Sequence, residues 1–526
     1  MASVRSRAEN KENVRHGIEI MNERKKGAIL SYIQVVLSVA VSVIYVPVLL
    51  RYLGQSEYGL YQIVGSFFSY VTVFESCMSA GVLRNYCNAL GKQDEQLADE
   101  TLSTARSIYR LMAAGMAGLG VVVILGFRAF YASSFTGAEL QESTIILGML
   151  FCNMVATLLS SVYLTVITGQ ERFVFLKISG ILLQTVQPLL VILCVMRLPY
   201  AMSVTAVIAG LNLVNILFRW WYVQCRLEIR IPTLKPNSKV AKEILTLSSA
   251  ILIGCIADQI FWKTDQVILG KMFSTAVVAV YSVGAQIYMI YMQFGIQIAG
   301  VFYPRVSVLY QEENGLQKVS DLFIRVGRAT FFVILLVLSG FIIFGREFLL
   351  VWVGEGYEAA YWVAIIVMLP FSVDLAQNLG LCILQVKGQY GFRAKIYLLS
   401  ALLNIITTVL FARRIGITGA ALSTGISMFL TSGLIMNWFF QKRVGLNMIK
   451  FWKTTIGIIS LAVLLTGAAC FIKGMIWHDP VSIIQLGLGI LLYTIVYGAV
   501  MFLFATDPAE RELLQRLLKT RRKSRL

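Results

Sequence analysis

The chain has 526 residues, of which 57% are hydrophobic and only 14% are charged, and its mean hydropathy is +0.74. Because about a quarter of the residues of a soluble protein are charged, this composition excludes a soluble enzyme or binding domain and indicates a polytopic membrane protein. The net charge of +18 would suggest a nucleic-acid partner in a soluble protein. In a membrane protein the positions of the charges matter more than their sum, and no nucleic-acid partner is predicted.

Fourteen apolar runs are long enough to cross a bilayer, since a spanning helix needs about 20 apolar residues. The sequence therefore predicts an all-α polytopic membrane protein with about fourteen transmembrane helices. In chain order the runs fall at about 27–52, 59–84, 105–130, 143–168, 173–197, 201–226, 245–270, 276–303, 327–350, 358–385, 394–412, 416–440, 452–474 and 482–505.

The lysines and arginines predict the orientation of these spans. The segment 1–26 is polar, and the first apolar run is too long for a cleavable signal, so we expect that run to remain as a span. If both termini are cytoplasmic, about 36 basic residues lie on the cytoplasmic side and about eight outside. We therefore expect a multi-pass protein of the cytoplasmic membrane, with both termini inside and with short outside loops.

The two halves of the chain contain a repeat. RYLGQSEYGLYQIVGSF (51–67) aligns with KMFSTAVVAVYSVGAQI (271–287), and TGQERFVF (168–175) aligns with KGQYGFRA (387–394), with nearly the same offset along the chain. Six spans separate equivalent points, so the copies have the same topology and form parallel repeats. The predicted division is a cytoplasmic segment 1–26, an N-lobe 27–228 with spans 1–6, a cytoplasmic linker 229–244, a C-lobe 245–440 with spans 7–12, two extra C-terminal spans in 441–505, and a basic cytoplasmic tail 506–526.

The seventh span carries three charges. The stretch SSAILIGCIADQIFWKTDQVILG (248–270) contains Asp258, Lys263 and Asp265, and each ionised group at the bilayer centre costs about 2.5–3.5 kcal/mol on insertion scales. Asp258 and Asp265 are two turns apart on one face, whereas Lys263 lies about 200° round the helix from Asp265. The spacing predicts an acidic face and a separate basic face. The alternative is local: Lys263 pairs with one of these acids or extends towards the interface.

Further polar residues within the spans are candidates for the same site. In a transporter built from repeats, the substrate site lies between the lobes near the middle of the membrane, and intramembrane acids and lysines line hydrated cavities. Glutamine and asparagine side chains often only bond one helix to another, which is the simpler interpretation of each of them. The candidates for coupling or for lining the cavity, besides Asp265, are Glu75, Asn153, Gln187, Asp374 and Asn404.

Several other features have a structural interpretation. Arg84 ends the second span and Arg219 lies in FRWWY, where an interfacial anchor and an aromatic belt are the simpler explanations. Pro47, Pro188, Pro304 and Pro370 interrupt spans and are either hinges or static bends. The eight cysteines are scattered through apolar segments without a CxxC pair, so neither a metal site nor a disulfide framework is predicted. The basic tail has a leucine face typical of a helix on the inner leaflet.

The ordered set of motifs resembles a known family. RYLGQSEYGLYQ followed by FESCMSAGVLRNY, then GQERFVFLKISG, TDQVILGKMFSTAVVAVYSVGAQ and LCILQVKGQYGFRAKIYLLSALLNIITTVLFARRIGITGAALST are similar to the polysaccharide-transport, or O-antigen repeat-unit flippase (Wzx-like), branch of the multidrug/oligosaccharidyl-lipid/polysaccharide (MOP) exporter superfamily. The resemblance implies twelve core helices plus two, and transfer of an undecaprenyl-pyrophosphate-linked oligosaccharide to the outer leaflet. The family's span-two arginine falls on Arg84, while Glu75 lies further from Gly81 than the family's acid does.

The sequence thus predicts a non-enzymatic flippase that works by alternating access. Lys263 and Arg84 would bind the pyrophosphate, and Asp258 would contact substrate or hold the lysine. No cofactor is expected beyond a coupling ion, H⁺ or Na⁺, or the membrane potential, and the partners are membrane lipids, a polysaccharide polymerase and glycosyltransferases. The alternatives are a multidrug or small-molecule cation antiporter and a peptidoglycan lipid-precursor flippase. A membrane-embedded glycosyltransferase or polymerase would need a catalytic loop, whereas the chain has two histidines and short outside loops.

Overall fold

A computed structural model describes residues 2–300, 302–477 and 482–506, and within these residues every regular element is helical. Most of the basic tail, from residue 507 onward, lies outside the described residues. Among these described residues three segments are π-helical, at Tyr222–Arg226, Phe429–Ile435 and Phe440–Val444. The α-helices are α1 (Ala2–Gly91), α2 (Glu95–Tyr131), α3 (Gly137–Gly169), α4 (Phe173–Val195), α5 (Ala201–Trp221), α6 (Ser238–Met272), α7 (Thr275–Gly300), α8 (Tyr303–Tyr310), α9 (Gly315–Val353), α10 (Glu358–Ala376), α11 (Leu379–Val386), α12 (Tyr390–Ile415), α13 (Ile417–Met428), α14 (Met436–Phe439), α15 (Met448–Ile476) and α16 (Ile483–Phe504).

Among the described residues, thirteen helices are long and apolar enough to cross a membrane. The first of them, Val36–Gly91, has 56 residues. As a straight helix it would be about 84 Å long, nearly three times the hydrocarbon thickness of a bilayer. Its backbone leaves the helical conformation at Gly54, where φ is 77° and ψ is 174°, a conformation open to glycine and strained for other residues. The first two predicted spans are therefore the two segments of α1, which confirms the prediction of about fourteen transmembrane helices.

The order of the helices agrees with the repeat. Helices α2, α3, α4 and α5 begin at residues 95, 137, 173 and 201, and their counterparts α9, α10, α12 and α13 begin at residues 315, 358, 390 and 417, a nearly constant separation. The last span of each repeat also ends in a π-helical turn, at Tyr222–Arg226 in the first and at Phe440–Val444 in the second. Two sequences with little residue identity thus fold into the same succession of helices.

The chain forms two compact units, Met1–Ala279 and Val280–Leu526. The first unit contains the six spans of the first repeat and also α6, which packs against α1. The linker at 229–244 was predicted from the repeat and from its basic, proline-containing sequence, and its role as the boundary between lobes stays a prediction. The packing groups the first helix of the second repeat with the first unit.

The two extra helices, α15 and α16, are held against α9 by buried polar contacts. Arg328 is only 4% exposed, and its guanidinium donates to the carbonyl oxygens of Thr454 and, at 3.0 Å, of Ala505. Nearer the other end of α15, Lys473 pairs with Glu347 at 2.5 Å. Unpaired charges would be costly in these apolar surroundings, so such contacts favour one fixed docking position for the two helices.

Three of the four prolines lie in helix interiors, whereas Pro304 lies in the first turn of its helix. Pro47, Pro188 and Pro370 lie within α1, α4 and α10. Pro304 occupies the first turn of the short helix α8, where its missing N–H leaves no helical hydrogen bond unmade. The prediction that Pro304 interrupts the eighth span is therefore wrong.

Candidate functional site

The charged span predicted around residues 248–270 lies in α6, and its two faces are buried to different degrees. Asp265 is only 2% exposed and Gln266 only 4% exposed, with Phe261 and Trp262 buried nearby. Lys263 and Asp258 keep an intermediate exposure. The helix therefore turns Asp265 towards its packing partners and Lys263 away from them, in agreement with their spacing along the helix.

Hydrogen bonds to α1 and α2 fix the rotation of α6. The Ser66 hydroxyl donates to the Gln266 side-chain oxygen, and one turn along α1 the Tyr70 hydroxyl lies 2.8 Å from the Thr264 hydroxyl. Nearer the end of α6, the Tyr131 hydroxyl donates to the Val267 carbonyl oxygen at 2.9 Å. Since Thr264 and Gln266 flank Asp265, these contacts set the direction in which Lys263 points.

Lys263 lies deep among protein atoms and still keeps part of its side chain accessible. Within the described part of the chain it makes no hydrogen bond or ion pair, whereas Asp258 and Asp265 both have partners of their own. Pairing of Lys263 with either acid is therefore not observed. By the rise of the helix, the Lys263 backbone lies about 14 Å from the end of α6 at Met272. A deep, partly accessible ammonium group is the expected property of a lysine that lines a cavity.

Tyrosines of α1 lie around the break at Gly54 and were not among the sequence candidates. Tyr45 is electrostatically close to Tyr58 and Tyr61, and its buried hydroxyl has no hydrogen-bond partner among the described residues. The Gln62 side-chain nitrogen donates to the Tyr58 hydroxyl at 2.7 Å. Tyrosine offers a flat apolar ring and a polar hydroxyl together, which suits contact with sugars. The sequence signal was available, because the three tyrosines lie close together along the chain on either side of a glycine.

Glu75 forms a second polar cluster within the first unit. Its Oε1 accepts hydrogen bonds from the Ser79 hydroxyl at 2.8 Å and the Ser161 hydroxyl at 3.0 Å, and the Tyr109 hydroxyl lies 3.1 Å from that of Ser79. Arg219 of α5 lies within electrostatic range of Glu75, and its buried Nε has no hydrogen-bond partner among the described residues. These contacts join α1, α2 and α3 around one carboxylate.

The exposure of the two tryptophans in FRWWY agrees with the aromatic-belt interpretation, which is incomplete for the arginine. Trp220 and Trp221 are 46% and 45% exposed, as expected of side chains that face lipid. Arg219 is only partly exposed and lies within range of the charge of Glu75. Its sequence neighbours could not reveal this environment, since adjacent helical residues point about 100° apart.

The remaining candidates of the first unit lie apart from one another. Arg84 is exposed near the end of α1, and Gln187 is partly exposed on α4. The Asn153 side-chain oxygen accepts a hydrogen bond at 2.9 Å from Asn212, which also donates to Thr157 at 2.9 Å. Asn153 therefore helps to join α3 to α5, as the simpler interpretation expected.

In the second unit, Asp374 lies beside a basic residue that the sequence had not singled out. The carboxylate of Asp374 on α10 interacts electrostatically with Arg393 of α12 and accepts a hydrogen bond from Ser432. These residues line a pocket of about 10 Å³, roughly enough for one water molecule. The Arg393 guanidinium also lies 5.0 Å from the ring centre of Tyr397. Asp374 thus interacts with the guanidinium of Arg393, a residue of the same unit.

Asn404 is the centre of a hydrogen-bond network between α12 and α13. Its side chain is fully buried, and its Oδ1 accepts from Thr408 at 3.1 Å, Ser423 at 2.9 Å and Thr424 at 3.3 Å. Three hydroxyl donors on one amide oxygen satisfy groups that would otherwise be unpaired in apolar surroundings. This geometry gives Asn404 a structural role in helix packing.

We expect Asn404→Ala to destabilise the protein by about 1–3 kcal/mol, because it removes the shared acceptor of three buried hydroxyls. The melting temperature of the purified protein in detergent should fall accordingly. The matched control is Gln187→Ala, which removes a partly exposed amide that makes no hydrogen bond among the described residues. A variant that melts like the wild type and no longer transports would contradict the structural role of Asn404.

Comparison with known proteins identifies the family. The sequence profile of the family described as "Polysaccharide biosynthesis protein" matches residues 48–362. A protein of Haloferax volcanii described as a probable low-salt glycan biosynthesis flippase is 24% identical over 274 residues, which are 51% of this chain and 56% of that relative. A protein of Shigella flexneri described as a putative O-antigen transporter is 20% identical over 403 residues, 75% of this chain and 92% of that relative. The match to the first relative therefore spans little more than half of its length.

Solved structures match over most of the chain. The lipid II flippase MurJ in an inward closed conformation has a TM-score of 0.68 at 13% identity, covering 90% of this chain and 98% of its own. An inward-facing multidrug-resistance MATE family transporter of the MOP superfamily has a TM-score of 0.62 at 13% identity, covering 80% and 96%. At this identity the structures establish the fold alone. Together with the profile match, they show that the chain belongs to the polysaccharide biosynthesis protein family and has the fold of MOP superfamily transporters.

Proposed function

We propose that this protein is a flippase that moves an undecaprenyl-pyrophosphate-linked oligosaccharide across the cytoplasmic membrane by alternating access. The observation that carries the proposal is Lys263: in a chain of the polysaccharide biosynthesis family, a membrane-spanning helix holds a deep, partly accessible lysine with no partner among the described residues. An uncompensated cation inside a membrane protein is costly, which is a reason to expect an anionic ligand.

The substrate presents three different solvation problems. The sugar is strongly hydrated, the pyrophosphate is anionic, and the prenyl chain is apolar and can stay in lipid throughout. The Lys263 ammonium would neutralise phosphate charge, and Arg84, which is exposed at the end of α1, would bind the pyrophosphate at the inner membrane surface. Tyr45 and Tyr61, the partly exposed tyrosines on either side of Gly54, would contact sugar. These contacts would keep the sugar and the pyrophosphate out of the hydrocarbon of the membrane.

We propose further that transport is coupled to H⁺, Na⁺ or the membrane potential, with Glu75 and Asp374 as the carboxylates concerned. Both lie in membrane-spanning helices, where an acid is rare without a function. We also propose that both termini are cytoplasmic, supported by the strong bias of basic residues. Glycosyltransferases would then supply the substrate on the inner face, and a polymerase would consume it outside. The protein itself breaks no bond in this scheme.

Deletion of the gene tests the substrate class. We expect the deletion strain to accumulate a prenyl-pyrophosphate-linked oligosaccharide, identified by mass spectrometry of extracted lipids, because synthesis continues on the inner face without export. Re-expression of the wild-type chain should remove it. If no such lipid accumulates and sensitivity to cationic drugs rises, the multidrug antiporter replaces the flippase. Accumulation of a peptidoglycan precursor would instead assign the chain to that pathway.

A further inference from the structure

The second segment of α1, residues 55–91, packs against α6 along an antiparallel contact that we call the α1–α6 seam. Hydrogen bonds and close approaches mark its register, and the two residue numbers of each pair add up to between 326 and 334. A nearly constant sum is the mark of two antiparallel helices in contact over several turns. The pairs are Ile63 with Gly270, Ser66 with Gln266, Tyr70 with Thr264, Met78 with Ser248, and Gly81 with Ser248.

Two free cysteines lie opposite each other in this register. Cys77 of α1 and Cys255 of α6 have numbers that add up to 332, within the same range. Cys77 is 2% exposed, and Cys255 lies close enough to interact with its thiol electrostatically. The helices approach closely one turn from Cys77 along α1, where a Cβ on Gly81 would overlap with the Ser248 hydroxyl oxygen. A disulfide requires such proximity, with Cα atoms no more than about 7 Å apart.

We propose that Cys77 and Cys255 form an oxidisable pair across the α1–α6 seam, and that a disulfide between them stops the transport cycle. The oxidant is a membrane-permeant azo compound such as diamide. Two S–H bonds break and one S–S bond forms. The two electrons and two protons pass to the N=N bond, which becomes a hydrazine.

The arrest follows from where the seam lies in the repeat, and this part rests on the proposed function. In sequence, α6 is the first span of the second repeat, and 55–91 contains the second span of the first repeat. Alternating access moves one repeat against the other, so helices of different repeats that pack together must part or slide. A covalent bond would hold the seam in one state.

The test uses the full-length protein in proteoliposomes, in a variant that keeps Cys77 and Cys255 and has alanine at the six other cysteines. Diamide should protect both thiols from a maleimide–polyethylene glycol reagent added after denaturation, and dithiothreitol should restore labelling. Cys77→Ser and Cys255→Ser in the same background are the matched controls, and each should stay fully labelled. If both thiols of this two-cysteine variant stay labelled after diamide, while the exposed Cys87 thiol of the wild type is oxidised in a parallel sample, the pairing is wrong.

Opening of the seam is tested without any substrate. In the Cys255→Ser variant, N-ethylmaleimide should alkylate the buried Cys77 slowly in the folded protein, because the thiol becomes accessible only when the seam opens. Complete protection of Cys77 over hours, with the exposed Cys87 of the wild type alkylated within minutes, would overturn the moving seam. This result is independent of what the protein transports.

The transport arm uses the prenyl-linked lipid extracted from the deletion strain as the probe. Its transfer should fall in proportion to the oxidised fraction and recover with dithiothreitol, while both serine variants stay active in diamide. Full transport by the oxidised protein would overturn the arrest and leave the flippase proposal intact. Absence of transfer by the reduced protein, with normal oxidation and alkylation of the thiols, would instead count against the flippase.

Discussion

Lys263→Ala is expected to reduce transfer of the prenyl-linked oligosaccharide by about ten- to a hundredfold, because a charge-assisted contact to phosphate contributes about 1.5–3 kcal/mol. The loss should appear in a proteoliposome transfer assay, and in cells as accumulation of the lipid-linked intermediate. The substitution should weaken only the substrate-bound states of the protein, because Lys263 has no anionic partner among the described residues.

The same substitution should leave folding intact. Removing one member of a buried ion pair is destabilising because it strands the other charge. Lys263 has no such partner within the described residues, so its removal strands nothing and relieves the cost of a buried ammonium group. We therefore expect Lys263→Ala to insert normally, with a melting temperature equal to or above that of the wild type. Loss of transport together with increased stability is the signature of a functional charge.

Two variants test whether the loss of transport is caused by the loss of the positive charge at Lys263. Lys263→Arg keeps the charge and should retain more transport than Lys263→Ala, although its planar guanidinium will not reproduce the contacts of an ammonium group. Lys242→Ala removes the same charge from an exposed position on the same helix and should transport normally. Normal export by Lys263→Ala at wild-type expression would refute the assignment of Lys263.

The helices and the repeat could be predicted because they depend on composition and on order along the chain. The length of an apolar run alone defines a span, and an offset of about 220 residues between similar motifs indicates two structural repeats. The rotation of α6 was also predictable, since the spacing of Asp265 and Lys263 fixes their relative directions. Burial of Asp265 and partial exposure of Lys263 agree with it.

The neighbours of each polar residue could not be predicted in the same way. Spacing gives the face of a helix on which a residue lies, but not which distant helix covers that face. Arg219 and Glu75 belong to helices far apart along the chain, and the sequence around either residue does not show that the other lies nearby in space. The closeness of Arg393 to Asp374 could not be predicted for the same reason. In the sequence Arg393 is only part of a repeated loop motif. The grouping of α6 with the first unit likewise depends on tertiary contacts.

Gly59→Ala is expected to destabilise the protein by about 1–3 kcal/mol, the usual cost of forcing extra volume into a packed interior. Gly59 lies in α1 just after the break at Gly54, and a Cβ there would overlap with the carbonyl oxygen of Thr275 at the start of α7. The obstacle is backbone, so no side-chain rotation can relieve it. The Ser56 and Thr275 hydroxyls, 2.8 Å apart, would have to separate as the backbone shifts.

A glycine less than two turns away provides the control for the change of residue type. A Cβ at Gly65, an exposed residue of the same helix, would meet no atom within 4 Å. Alanine is a better helix former than glycine by up to about 1 kcal/mol, so Gly65→Ala should leave the melting temperature in detergent unchanged or raise it. Opposite shifts from the same chemical change can come only from the space around each residue. Equal shifts for the two variants would mean that the Thr275 carbonyl does not press on Gly59.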